Sequence, residues 1–265
     1  MAIIGVRKGE ALNGAWKLIR GRETLAGNSG RVRAGDDPSA LQRLVALRGV
    51  NLAERIGVVF KRIEGGGFIY QGQRAEIETF EMAETPFTIG MMKELLALKG
   101  EEVRAIFKVH GYSVDEVIQK SLGRVAADVP DAERGNCPLV YVSKHESEAI
   151  ARLLGGDLLT ESQWERAASG TDGKMRPWGN DLDPTKAVYR DSGTRPVKSK
   201  PAGVSAEGLY DLIGNVWKWT KESVLRGGSW DFNFPVYLQA DCRYNYLPGS
   251  RGPDVGFCLA RTFKG

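Results

Sequence analysis

The chain has 265 residues, of which 26% are charged and 42% hydrophobic, and carries a net charge of +4 at pH 7. These values exclude disordered, collagenous and disulfide-stapled chains and allow one large core or two ordinary ones. Lys and Arg alternate with Asp and Glu instead of forming a basic stripe, which argues against nucleic acid as a partner, and no window approaches the roughly 18 apolar residues of a membrane-spanning helix.

The opening stretch MAIIGVRKGEALNGAWKL lacks the apolar core and cleavage site of a secretory signal. Residues 1–57 carry a Gly/Asn/Ser/Asp-rich loop from Gly27 to Pro38. A weakly patterned helix then starts at a Ser39 cap, with Leu41, Leu44 and Val45 on one face until Arg48 and Gly49 interrupt it. From Val58, VVFKRIEGGGFIYQG predicts two strands paired around a Gly turn. In TPFTIGMMKELLALKG, Thr85 is the expected cap, Pro86 the first helical residue and Gly100 the stop. Capping boxes mark three further helices, with Ser113 and Glu116, Ser143 and Glu146, and Thr160 and Gln163 as their reciprocal pairs. After Ser169 the pattern changes to short strands, turns and tryptophans, which completes an α+β domain with irregular loops at its C-terminal end.

Chemistry-bearing residues are few. Cys137, Cys242 and Cys258 show no CxxC spacing and are expected as buried thiols. His110 and His145 are the only histidines and have no i,i+4 relation, so a site needing three imidazoles cannot be built.

Four stretches, CPLVYVSKHESEAIARLLGGDLLTESQWERAASGTDGKMRPWGND, GLYDLIGNVWKWT, VLRGGSW and GFCLAR, come in the order and spacing of the formylglycine-generating, sulfatase-modifying family. FKRIEGGGFIYQG and FEMAETPFTIGMMKELL resemble its opening strands and first helix, so the resemblance covers residues 58–263. It implies the irregular variant of the C-type lectin fold over 58–265. Residues 1–57 then become an N-terminal addition of uncertain structure, and residues 100–134 an insertion.

Fold does not carry function by itself. The family's oxidases hold copper(I) on two cysteines shortly after the GGS turn, and those positions here fall on Phe232 and Tyr237, which offer no thiolate. A related branch that makes carbon-sulfur bonds uses three histidines on iron, and this chain has two. The acidic calcium ligand of the GNVWEW pattern is replaced by Lys218, and the second calcium site's asparagine by Val188. Neither catalytic residues nor a metal or other cofactor is therefore expected. In RGGSW, Arg226 is expected to tie loop carbonyls and Trp230 to anchor the turn. Trp178, Trp217 and Trp219 are expected to fill the core. Cys258 stands where the family has arginine after Gly-Phe, which removes one guanidinium that could tether a loop.

Residues 231–255 resemble the variable region of proteins diversified by retroelements, a binding branch of the same fold family. There, randomised adenines in AAY codons yield NNY codons, which cannot encode Lys, Glu, Gln, Met or Trp. Those types make up about a fifth of an average chain, so roughly five are expected in such a stretch. Gln239 alone occurs. Loop-rich Gly, Pro, Asp and Asn offer a plainer explanation, but loops are also rich in Lys and Glu, and neither lies between Glu222 and Lys264. Arg243, Pro248, Arg251, Gly256 and Phe257 keep the spacing of the fixed points that the resemblance implies. The candidate ligand contacts are Asp231, Phe232, Asn233, Phe234, Val236, Tyr237, Asp241, Tyr244, Asn245, Tyr246, Gly249, Ser250, Gly252 and Asp254. Tyr, Asn, Ser and Gly are also the residues antibody loops favour.

The expected function is non-catalytic binding of a macromolecule, a protein or a cell-surface molecule, through this diversified segment. The alternatives are a metal-dependent oxidase or sulfoxide synthase using other ligands, and an interaction module without diversification. No signal peptide or membrane span is read in the sequence, and the location is left open between a virion component, a protein exported by another route and an intracellular role.

Overall fold

In the computed structural model, residues 52–231 and 234–262 are described, all within the unit Arg48–Gly265. The Ser39 cap and its apolar face lie outside them. Residues 52–55 are helical, and Leu52, Ala53 and Ile56 are buried in the same core as the domain that follows.

The first four strands are β1 (Phe60–Ile63), β2 (Gly66–Tyr70), β3 (Gln73–Ile77) and β4 (Phe80–Ala83). The two strands expected to pair with each other, β1 and β2, do not. β1 pairs antiparallel with β4, and β2 with β3 around Gln71 and Gly72, both at positive φ. Two consecutive positive φ values give the twist that a two-residue hairpin turn needs, whereas the Gly65–Gly67 run lets the chain cross close to other backbone. A Cβ on Gly65 would lie 2.5 Å from the Ile77 carbonyl oxygen.

The helices are α1 (Ile89–Leu98), α2 (Gly100–Val109), α3 (Val114–Leu122), α4 (Lys144–Leu153) and α5 (Glu161–Ser169). Both capping boxes, Ser143 with Glu146 and Thr160 with Gln163, form as the sequence predicts. Ser113 does cap α3, but by position alone, without a side-chain bond. At α1 the cap is Thr88, whose hydroxyl accepts from the Met91 amide, and not Thr85. The preceding segment is held extended, since the Phe87 amide donates to Phe257 and its carbonyl accepts from Leu139, so the helix starts after it. Gly100 opens α2 instead of ending the run.

The segment expected as an insertion is helical and belongs to the core. Val103 and Phe107 of α2 and Val114, Val117 and Ile118 of α3 are buried with Leu139, Trp217 and Leu225. Burying a Phe side chain stabilises by about 1.5–3 kcal/mol, enough to hold these helices on the domain. Ser121 locks α3 to the strand-like segment beside it by bonding both the amide and the carbonyl of Val140.

Two short strands, β5 (Asp157–Leu158) and β10 (Leu259–Thr262), complete a four-stranded sheet of order β1-β4-β10-β5. The second four-stranded sheet is built from β6 (Trp217–Trp219), β7 (Val224–Arg226), β8 (Arg243–Asn245) and β9 (Val255–Gly256), in the order β8-β7-β6-β9. β8 lies within the segment expected to vary.

Candidate ligand-binding surface

The β8-β7-β6 register sets Trp219 opposite Leu225 and Leu225 opposite Tyr244, while Lys218, Arg226 and Arg243 form the adjacent row. Side chains alternate along a strand, so the first row occupies one face of the sheet and the second row the other.

On the first face an aromatic row runs from the core outward. The Trp217 ring stacks on Tyr244 at 5.6 Å and meets Tyr237 edge-on at 6.1 Å. Tyr246 lies 5.7 Å from Trp219 and 6.1 Å from Tyr244, and Phe234 continues the row beyond Tyr237. Trp217 and Trp219 are buried, and the indole N–H of Trp219 donates to the Val142 carbonyl. Phe234 is 66% exposed and Tyr244 38%. Tyr237 and Tyr246 are instead half-buried, because each packs on an indole of β6. Val236 and Leu247 are also exposed, at 56% and 74%. Leu247 was missed by sequence reasoning, since leucine is ordinarily a core residue.

Asp231, Asp241, Asn245 and Gly249 are exposed and Ser250 is half-exposed. Phe232 and Asn233 lie outside the described residues. Two candidate contacts are corrected. Gly252 is buried, with its carbonyl accepting from Tyr141, and Asp254 is turned inward, where it accepts from the Ser229 hydroxyl at 2.6 Å and its own carbonyl accepts from the Trp217 amide. Burial pushes the Asp254 carboxyl up, opposed by the Ser229 hydrogen bond. Both are parts of the support.

The opposite face shows how the segment is held. The fully buried Arg226 guanidinium donates to Glu161 at 2.9 Å, to Glu165 at 2.7 Å and to the Ala240 carbonyl at 2.7 Å. The expected loop carbonyl is therefore met, together with two buried carboxylates of α5 that no sequence signal announced. Arg243 forks onto Glu161 at 2.5 and 2.6 Å. Arg251 forks onto the buried Glu146 of α4, at 2.6 and 3.1 Å, and stacks over Tyr112 at 3.9 Å. The Pro248 carbonyl accepts from the Lys144 amide, and Phe257 stacks on Phe87 at 5.0 Å. Gly256 runs so close to its neighbour that an added Cβ would lie 2.7 Å from the Leu139 carbonyl oxygen, so each fixed point of the spacing meets the scaffold. Gly227 and Gly228, both at positive φ, let the turn pass Leu212 and Tyr237, whose carbonyl oxygens would lie 2.3 and 2.7 Å from added Cβ atoms. Trp230, 8% exposed, accepts from Asp191 and donates to Asn215 through its backbone.

The residues do not fit the metals that the fold family implies. Burial pushes the thiols of Cys137 and Cys258 up to about 12 and that of Cys242 up to about 11, so none is a thiolate at neutral pH. The Lys218 ammonium donates to the carbonyls of Leu212 at 3.0 Å and Gly214 at 2.8 Å, directing a cation at oxygens that a calcium ion would need. Burial lowers Lys218 only to about 8, which leaves it charged at pH 7. Among the described residues, no three His, Cys, Asp or Glu side chains are grouped to hold a metal ion.

Known proteins place the fold. The chain is similar to the serine/threonine-protein kinase pkn1 of Chlamydia caviae, 28% identical over 76% of this chain and 38% of that one. It is 33% identical to the inactive C-alpha-formylglycine-generating enzyme 2 of Bos taurus over 48% of this chain and 51% of that one. With the formylglycine-generating enzyme of Thermomonospora curvata the identity is 38% over 50% of this chain and 45% of that one. The chain thus spans about half or less of the length of these relatives. Among solved structures, Treponema denticola variable protein 1 superimposes with a TM-score of 0.57 at 20% identity, covering 78% of this chain and 96% of that one. CarF superimposes with a TM-score of 0.59 at 18% identity, covering 79% and 100%. These two show a shared fold, the C-type lectin fold of the formylglycine-generating type. The family model for the sulfatase-modifying factor enzyme 1-like domain matches residues 58–263, and the chain belongs to that family.

Proposed function

We propose that this protein is a non-catalytic binding protein whose C-terminal segment, residues 231–255, displays diversified side chains to a macromolecular ligand, a protein or a cell-surface molecule. The observation that carries the reading is the division of labour within the segment. Arg243, Pro248 and Arg251 are tied to α4 and α5, although the Arg243 side chain is itself 48% exposed, whereas Phe234, Val236, Tyr244, Asn245 and Leu247 are exposed. Exposed apolar and aromatic side chains grouped on one surface mark interaction sites, and Tyr gives large contact area at low entropy cost. Every outward residue is of a type that NNY codons encode. The fold shared with the Treponema variable protein, and a relative whose name describes it as inactive, are both compatible with binding without catalysis.

Sequencing the DNA beside the gene tests diversification. A reverse transcriptase gene with an adenine-rich near-copy of codons 231–255 is the expected finding. Absence of both would refute diversification and leave an undiversified interaction module.

A further inference from the structure

β8 lies at one edge of its sheet with all its residues exposed, whereas β9, at the other edge, is buried. The register shows which backbone groups the exposed edge presents. The Thr220 amide donates to the Val224 carbonyl, so the backbone groups of Val224 face β6. N–H and C=O groups alternate sides along an antiparallel strand, so those of Leu225 face β8, where Tyr244 stands opposite. The N–H and C=O groups of Arg243 and Asn245 therefore point away from the sheet, and neither residue has a further backbone partner among the described residues. Such a row is a template for another extended chain. Randomised NNY codons leave it unchanged except where they encode proline.

The charges around this edge are unbalanced. Arg226 and Arg243 are matched by Glu161 and Glu165, and Arg251 by Glu146. Asp231 and Asp241 are exposed and enter no ion pair among the described residues. Asp241 stands just before β8. Burial raises the Asp254 carboxyl and the Tyr246 phenol, and the Asp231 charge then adds to the first and the Asp254 charge to the second, so acid also stands near the strand's far end. Arg176, within electrostatic range of Asp241, is buried. Exposed carboxylates thus flank the edge beside the Tyr244 and Tyr246 rings, whose faces also attract cations. A second copy of this chain would set the same carboxylates against each other.

We propose that β8 takes its ligand by strand addition: an extended, basic segment of a protein partner pairs its backbone with the outward amides and carbonyls of Arg243 and Asn245. Alternate side chains of that segment lie against Tyr244 and Tyr246. The proposal rests on the reading of residues 231–255 as a binding surface and names the class of ligand that surface takes. The backbone supplies an anchor common to every diversified version, and the varied side chains choose among segments.

Random linear peptides are panned against the wild-type protein, and the most enriched one is the probe. Its sequence should be rich in Lys and Arg. In the free protein the Arg243 and Asn245 amides should exchange with solvent faster than that of Tyr244, and saturating peptide should slow both. Asn245→Pro removes one outward amide without touching the ladder to β7, as edge strands tolerate. It should weaken peptide binding about fivefold or more, while Asn245→Ser, which keeps the amide, stays within about threefold. Melting temperatures of both variants are measured first. Should the proline variant melt early, N-methylation of alternate peptide amides reads the same bonds on the unaltered protein. No enriched peptide, enrichment in acidic residues, or full affinity after these changes would overturn strand addition. So would a concentration-dependent dimer of the protein that Asn245→Pro abolishes. Peptide protection elsewhere in residues 231–255, with Arg243 and Asn245 unchanged, would overturn strand addition and leave the binding surface. Protection only outside the segment would tell against the surface itself.

Discussion

At the scale of single residues, position in the segment decides what a substitution does. Trp230 is nearly buried and bonded through its backbone on both sides, so Trp230→Ala should cost roughly 3–5 kcal/mol in chemical denaturation. Asn245 is exposed, and Asn245→Ser should stay within about 0.5 kcal/mol. Lys218 gives a pH signature. Burial holds its ammonium at about 8, against an ordinary value of 10.5, so between those values the unfolded chain binds more protons than the folded one. Stability contributed by Lys218 therefore rises with pH across that window. Melting of the wild type and Lys218→Met at pH 8 and at about pH 10 should show the difference moving in favour of the wild type. A constant difference would mean that Lys218 titrates normally.

At the scale of elements, residues 231–255 stand on two helix starts. Glu146 serves the capping box of α4 and also receives Arg251, while Glu161 opens α5 and receives both Arg226 and Arg243. Removing one partner of a buried pair leaves an uncompensated charge, so Arg251→Ala should destabilise by about 3–5 kcal/mol. Arg243 is more exposed and shares its carboxylate with Arg226, and Arg243→Ala should cost clearly less. Denaturation curves of the two variants check the order. The starts of α4 and α5 were legible because capping is local, Glu146 standing three positions after Ser143 and Gln163 three after Thr160. The carboxylates that receive Arg226 and Arg251 lie 61 and 105 residues away in sequence, and nothing local marks such a pair. The same limit explains the mistaken β1–β2 hairpin, whose Gly run suits a turn but whose real turn is Gln71-Gly72. It also explains why nothing in the sequence announced the stacking of the His110 and His145 rings, 5.5 Å apart. Asp254 misled for another reason, since composition places a residue in the segment without saying which way it faces.

At the scale of the whole molecule, the C-type lectin fold separates a tethered scaffold from an outward face. No helix among the described residues is long and apolar enough to cross a membrane. The central claim is that the fold is indifferent to what this face carries, and it can be measured without knowing the ligand. A library randomising Phe234, Val236, Tyr244, Asn245 and Leu247 with NNY codons is displayed on cells and selected for protease resistance, beside a library randomising Arg226, Arg251 and Gly256 in the same way. The account predicts that most members of the first library survive with no residue preferred, and that survivors of the second return to the parental residues. Strong selection for the parental aromatic and aliphatic residues in the first library, with free variation in the second, would contradict it.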